Sequence, residues 1–422
     1  MRILVNTIDP WSQNTGSDTM SSLLSSFDSK DIASINIRAG KSDSTVAGSY
    51  FHIFEERVIK SIFRPSIETG EKYLPGESDE CKELDSERIL YGRNHFLPRY
   101  FYVFAREILW KLGRWKSRSL DDYVTSFSPD VFFFPIESYI HFNRLNLYII
   151  KKFRPKMVIG YMWDDNFTFK QDPCNPLYLL HRLWLRKGVR KLVSSCDTVF
   201  AICPKMKKEL DKEFGIESVL LTKPVRSTDY PVFEGEGTRP LRLIYTGNLV
   251  AGRAESIEKV VDAIREMNKD GQKVVLDIYT GSHLPPKMKE RIHVPGCCNL
   301  KSFIPQSEVF RMQEKADILL IAESFSHRKK VARLSFSTKI TDYLSTGKCI
   351  WAVGNEDLGS IDYLTNEDAA LVSTSPKEIY PMLKEIVFRP ERIREYAVKG
   401  YECGVRNHSK ESIQERFFAV LK

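Results

Sequence analysis

Apolar and polar positions alternate in a regular order along the second half of the chain. LRLIYTG (241–247) is an apolar run with the length of a buried strand. ESIEKVVDAIREMN (255–268) then places Ile257, Val260, Val261, Ile264 and Met267 on one helical face. VVLDIYTG (274–281) reads as a second strand, and helical QSEVFRMQEKA leads into a third, DILLIAE (317–323). FSTKITDYLSTGKCIWA (336–352) reads as a helix running into a buried strand, and AALVS (369–373) as a later strand. Strand–helix alternation with short turns predicts a parallel sheet with helices on both faces, a Rossmann-like domain.

The first half follows the same rule with longer interruptions. RILVNTI, ASINIRA, DVFFFPI, KMVIGYMW, DTVFAIC and SVLLTKP are strand candidates, and PKMKKELDKEF is a helix between the last two. VRSTDYPVFEGEGTRP (225–240) is polar and rich in Gly and Pro, so it reads as a linker. The tail beyond about residue 390 is helical with no strand to pair with. The expectation is an α/β protein of two Rossmann-like domains facing across a cleft, spanning 1–228 and 229–400, with a C-terminal helix at 401–422.

Length and charge change this picture little. A chain of 422 residues is too long for one ordinary core, which agrees with two domains. The excess of 63 basic over 55 acidic residues, +8, favours anionic partners. Eight scattered cysteines without a CxxC pair argue against a zinc site and a disulfide framework. The opening MRILVNTIDP lacks the apolar core of a signal peptide, and no apolar run approaches the ~20 residues that cross a bilayer. A cytoplasmic protein is expected, or one peripheral on the inner face of the cell membrane.

Candidate chemistry begins at residues 336–352. Phe336, Ile340, Tyr343 and Leu344 form the apolar face of that helix, and Gly347 stands where a left-handed cap is wanted. Ser335 and Ser337 are plausible N-caps. With Ser337 and Thr338 at its start, such a helix N-terminus attracts phosphate, and Lys339 adds charge. Asp342, one turn on, has the two acceptors a ribose diol needs. The same Lys and Asp also fit a solvated helix face. In IYTGNLVAGRAESI (244–257), a strand ends at Thr246 and Gly247, and Arg253 precedes a helix beginning near Glu255. Its guanidinium suits a diphosphate, although an ordinary βα turn with one surface Arg reads the same way.

Taken in order, these stretches carry a resemblance. A glycine-ended strand, a basic residue six positions on, two further strands and STKITDYLSTGKCIWAVG are similar to the donor-binding domain of family 4-like GT-B glycosyltransferases, over roughly 240–375. RKLVSSCDTVFAICPKMKKELDKEFGIESVLLTKPV (190–225) resembles the family's last N-domain segment. SKESIQERFFAVLK resembles its helix that crosses back to the N-domain. The resemblance implies that Asp342 bonds the nucleotide ribose, that Lys339 and Arg253 meet the donor diphosphate, and that Thr246 and Gly247 line the loop below. LKSFIPQSE (300–308) matches the segment that touches the base, which makes Phe303 and Ile304 candidates. Some positions depart from the pattern: Asn248 replaces a common Arg, Leu334 stands where a Glu is usual, and the EGFG stretch is absent. HRKKVAR (327–333) lies there instead. Its Arg328, Lys329, Lys330 and Arg333 fit either phosphate contacts or a solvated basic loop.

In the first domain, Gly16 of NTIDPWSQNTGSDTMSS matches the family's glycine loop, or is a plain turn. YMWDDNF (161–167) ends a strand, where Asp164 and Asp165 are candidate acid/base or acceptor-binding groups. A paired Asp also invites a metal, but the two-domain pattern and the basic residues argue against one, so neither metal nor cofactor is expected. His141 is the nearest candidate for the family's strand-end His. Segment 93–119 places Phe101, Phe104, Ala105, Ile108, Leu112 and Trp115 on one helical face, with Arg106, Lys111, Arg114, Lys116 and Arg118 supplying charge. It reads as a helix in an anionic membrane interface, or as a core-packed helix with a basic outer face. LHRLWLRKGVRKL (180–192) is a weaker second case.

The expected function is transfer of a sugar from a nucleotide-sugar donor to a glycan or lipid-linked acceptor in cell-surface polysaccharide synthesis, retaining and metal-independent. A nucleotide-sugar epimerase and a non-catalytic GT-B binding subunit are the alternatives. No nucleic-acid recognition module appears.

Overall fold

The computed structural model describes residues 1–11, 19–38, 40–76, 99–225, 240–327 and 332–422. Gly16, the linker residues 226–239, the basic Arg328, Lys329 and Lys330, and the first residues of segment 93–119 lie outside these. The described chain divides into two compact units. One comprises Met1–Ile202 and Lys207–Leu220, the other Cys203–Met206 and Leu221–Lys422.

The first unit is built on an eight-stranded sheet. Its strands are β1 (Ile3–Thr7), β2 (Ile32–Asn36), β3 (Ser49–Ile53), β4 (Gly70–Tyr73), β5 (Val131–Pro135), β6 (Met157–Met162), β7 (Thr198–Ala201) and β8 (Val219–Leu220). Their order is β4-β3-β2-β1-β5-β6-β7-β8. The pairs are parallel except β3 with β4. The six apolar runs read from the sequence are all strands. β3 and β4 were missed, because GEKY carries two charges and SYFHI holds a histidine. Gly70 is required in this edge strand: a β-carbon there would lie 2.4 Å from the Phe51 ring.

The second unit carries β9 (Leu241–Thr246), β10 (Val274–Tyr279), β11 (Cys298–Lys301), β12 (Ile318–Ala322), β13 (Cys349–Val353) and β14 (Leu371–Ser373). They form a parallel sheet in the order β11-β10-β9-β12-β13-β14. The predicted helical face holds, since Ile257, Val260, Val261, Ile264 and Met267 all enter the core with Leu243, Leu276, Ile278 and Trp351. β11 was missed as a short edge strand with an asparagine in it. Strand order reverses beside β1 in one sheet and beside β9 in the other. At such switch points the loops beyond the strand ends part and leave room for a ligand.

The helix Arg99–Leu112 turns its polar side inward, which overturns the core-packed reading of its apolar face. Arg106, Glu107 and Trp110 point inward, while Phe101, Ile108 and Leu112 are more than half exposed. The Arg106 guanidinium is bound twice by Glu55, which also accepts from Trp110 Nε1 at 2.7 Å. That buried ion pair holds the polar side of the helix inward. Trp115, assigned to the same face, lies beyond the helix end and is buried.

Candidate functional site

In the second unit, the switch point collects residues from four elements. β9 runs out through Tyr245 and Thr246 into Gly247, whose φ of +131° is open to glycine. The helix Arg253–Met267 begins after Gly252, at φ +86°. Arg253 is therefore its first residue rather than one before it. Glu323 follows β12, and Lys339 opens the short helix Lys339–Leu344.

These side chains engage one another. Arg253 Nε and Nη2 donate to the two carboxylate oxygens of Glu323 at 3.1 and 3.0 Å, and Nη1 donates to Asn248 Oδ1 at 2.9 Å. Arg253 is thus clamped in one orientation rather than loose on the surface. Burial works against its charge, but Glu323 more than offsets this and raises its pKa. Lys339 Nζ donates to the Tyr245 hydroxyl at 3.1 Å and sits 4.3 Å from that ring's centroid. A β-carbon on Gly247 would lie 2.4 Å from Lys339 Nζ. Burial, followed by the field of Arg253, pushes the Lys339 pKa down to about 7, against the pull of Glu323. With Lys339 protonated, two cations and one carboxylate leave a site with excess positive charge at the strand ends, the electrostatic match for a diphosphate.

The remaining predicted residues divide. Thr246 faces inward: Tyr343 Oη accepts from its backbone N–H at 3.2 Å, and Gln313 donates to its hydroxyl at 3.1 Å. The helix is capped at Thr338 without a side-chain bond, not at Ser335 or Ser337. Ser337 N–H donates instead to Ser360 Oγ at 2.9 Å. Gly347 has φ +64°, the left-handed conformation expected of it. Asp342 does not share the Lys339 cluster: its Oδ1 accepts from Lys223 Nζ at 2.7 Å. Phe303, 69% exposed, and half-buried Ile304 follow β11. A β-carbon on Gly281 would lie 3.6 Å from Phe303, so this ring stands beside the end of β10. Arg333 is buried, with its carbonyl accepting from Gly359 N–H at 2.9 Å, and Leu334 is fully buried. Sequence reasoning quoted Glu323 only as the end of a strand. Its signal was position: an acid directly after an apolar strand at a switch point. A cavity of about 430 Å³ opens beside the cluster, lined in part by Gly252, Ser256, Ser324 and Phe325.

In the first unit, the ends of β1, β5 and β6 gather Asp9, Glu137, Trp163 and Asp164. Trp163 Nε1 donates to Glu137 Oε1 at 3.0 Å. Burial, and then the charge of Asp164, push the Glu137 pKa up to about 8, so it is largely protonated at neutral pH. Arg38 reaches Asp9 at 2.5 Å and the Tyr139 hydroxyl at 3.4 Å. Asp164 is exposed. Asp165 is corrected: it is fully buried, and its carboxylate caps Thr168 through the backbone N–H at 2.9 Å and the hydroxyl. His141 is also structural, buried with Nδ1 3.0 Å from Glu107 Oε1 and stacked on Trp110. Glu137 is the acid the sequence did not disclose, because only the sheet order brings it beside Asp164.

No protein-family model and no curated protein sequence matches the chain. Solved structures do. Sucrose-phosphate synthase from Thermosynechococcus elongatus matches at TM-score 0.62 and 10% identity, over 100% of this chain and 98% of that one. S. aureus MnaA with UDP matches at 0.54 and 11%, over 100% and 96%. An S. aureus TarM variant in complex with fondaparinux, α-GlcNAc-glycerol and UDP matches at 0.52 and 10%. That match takes in 71% of this chain and 57% of TarM.

The chain has the GT-B fold.

At this level of identity the likeness is one of fold. In the GT-B chain described here, Arg253, Lys339 and Gly247 are brought together, with Glu323 added. Asp342 lies on the same short helix as Lys339, and Phe303 follows β11 in the same unit.

Proposed function

We propose that this protein is a glycosyltransferase that moves a sugar from a nucleotide-diphosphate sugar to a glycan or lipid-linked acceptor in cell-surface polysaccharide synthesis. One observation carries the reading: Lys339 Nζ, seated against Gly247 and beside the clamped Arg253, at the switch point of the second sheet. As the bond from sugar to phosphate breaks, negative charge builds on the departing diphosphate. Fixed cations stabilise that charge more than the ground state, which lowers the barrier. Arg253 and Lys339 supply the charge that a metal would otherwise bring, so the reaction needs no metal; the resemblance to family 4-like GT-B enzymes implies retention at the transferred carbon. Asp342, steadied by Lys223, binds the ribose; the exposed face of Phe303 takes the base. In the first unit, Glu137 and Asp164 meet the acceptor hydroxyl. UDP is the first nucleotide to test, as it occupies TarM and MnaA.

A second reading has one specific support: a putative UDP-N-acetylglucosamine 2-epimerase from Listeria monocytogenes is among the matched structures, at TM-score 0.55 and 11% identity. Incubation with UDP-sugars, with and without a glycan acceptor extract, separates the two. Acceptor-dependent release of UDP supports transfer. Acceptor-independent conversion to an isomeric UDP-sugar overturns transfer in favour of epimerisation.

A further inference from the structure

In the first unit, the helices Arg99–Leu112 and Pro176–Val193 lie side by side. Tyr100 meets His181 with ring centroids 5.9 Å apart, and Phe104 stacks on Trp184 at 6.3 Å. The contact advances in the same direction along both, so the helices run parallel. One buries Arg106, Glu107 and Trp110; the other buries Tyr178, Arg182, Leu185 and Val189. Parallel neighbours that bury the same side expose the opposite side together. That shared outer face carries Phe101, Ile108, Leu112, Leu180 and Leu183, each 51 to 60% exposed. Lys111, Lys187 and Lys191 are exposed on the same two helices.

The Arg144 guanidinium lies 5.4 Å over the Trp184 ring and leads from this ridge into a groove. The groove, about 370 Å³, is lined by Trp115, Lys116, Arg144, Leu147, Tyr148, Lys151 and Lys152, with no acid among them. Lys116 Nζ sits 5.1 Å from both the Trp115 and Tyr148 ring centroids. Lys152 is held by Asp121 at 2.6 Å.

We propose that this surface docks on an anionic lipid bilayer. The five apolar side chains enter the boundary between headgroups and acyl chains, and the groove receives a lipid phosphate. The charge pattern selects this occupant: exposed leucines, an isoleucine and a phenylalanine on two helices that also expose lysines, beside a cationic groove walled by Trp and Tyr, match a bilayer interface. No helix among the described residues is long and apolar enough to cross a membrane, so the contact is peripheral. It is independent of the donor chemistry.

Flotation of the full chain tests this, with vesicles of phosphatidylcholine alone and of phosphatidylcholine with phosphatidylglycerol. The wild type floats with the anionic vesicles at low salt and is released at high salt. Ile108→Asp with Leu180→Asp, both at exposed positions, abolishes flotation. Lys116→Glu with Lys151→Glu lowers the bound fraction about tenfold or more on anionic vesicles. Val405→Asp, at an exposed apolar position of the second unit, floats as wild type. Wild type that stays with the soluble fraction at low salt overturns the proposal, as does undiminished flotation of either double variant. A dimer broken by Ile108→Asp, from protein that never floats, also overturns it by assigning the face to a second copy.

Discussion

Lys339 Nζ lies 3.1 Å from the Tyr245 hydroxyl and 4.3 Å from the centre of the same ring. The lysine is therefore held by an aromatic face and one neutral oxygen, beside a second cation. This is a poor environment for an ammonium ion until an anion arrives.

The pH dependence of binding follows. With its pKa near 7, Lys339 is half-charged at neutral pH in the free protein, and a bound diphosphate requires the charged form. UDP affinity falls about tenfold per pH unit above 7, until the raised pKa of the complex is reached. Titration calorimetry in buffers of different ionisation enthalpy registers the proton taken up. Lys339→Met removes both the uptake and the slope. It also stabilises the ligand-free protein, most below pH 7. The gain shrinks between pH 7 and 10.5, where the folded lysine is already neutral and the unfolded one is still charged. Thermal unfolding across that range measures it.

Gly247→Ala is expected to damage the site without unfolding the domain. The new methyl group meets the mobile end of Lys339 at 2.4 Å, and φ +131° adds backbone strain of about 1–3 kcal/mol. Displacing Lys339 lowers UDP affinity about tenfold or more. Circular dichroism and calorimetry on the same sample separate the two effects.

Glu323 has the opposite balance. Its carboxylate is nearly buried and is bound at both oxygens by Arg253. Glu323→Ala leaves a largely desolvated guanidinium without its partner and costs about 3 kcal/mol of stability, measured by urea unfolding. Arg253 loses its fixed orientation as well, so turnover falls further than UDP affinity.

Glu137 links stability to pH in the first unit. Its folded pKa of about 8 lies above the ordinary 4.5, so folding becomes less favourable as pH rises from 4.5 to 8 and levels off beyond. Glu137→Gln removes that loss and is more stable than wild type at pH 8, but not at pH 4. Equal stability of the two at pH 8 would mean that Glu137 carries no such penalty.

Much of this fold is legible in the sequence, because apolar runs report buried strands directly. Phe132, Phe133 and Phe134 of β5 are all fully buried. The edge strands β4 and β11 escape, since a strand paired on one side tolerates polar residues and loses its apolar signature. The family resemblance singled out Gly247, Arg253 and Lys339, which the fold brings together at the strand ends. Glu323 and Glu137 escaped because their partners come from other strands and are set by sheet order. Only the core-packed reading of the helix Arg99–Leu112 fails, for a related reason. A helical wheel sorts residues by polarity, yet Arg106 is buried by an acid 51 positions away.

The most direct test of the donor site is calorimetric titration of UDP, GDP and ADP in the presence of EDTA, with wild type and Asp342→Ala compared. The account predicts saturable binding of one nucleotide to wild type without metal, and binding about tenfold or more weaker in the folded Asp342→Ala variant. Wild type of verified fold that binds none of the three, or that binds only when a divalent metal is added, would contradict the assignment of Arg253 and Lys339 to a donor diphosphate.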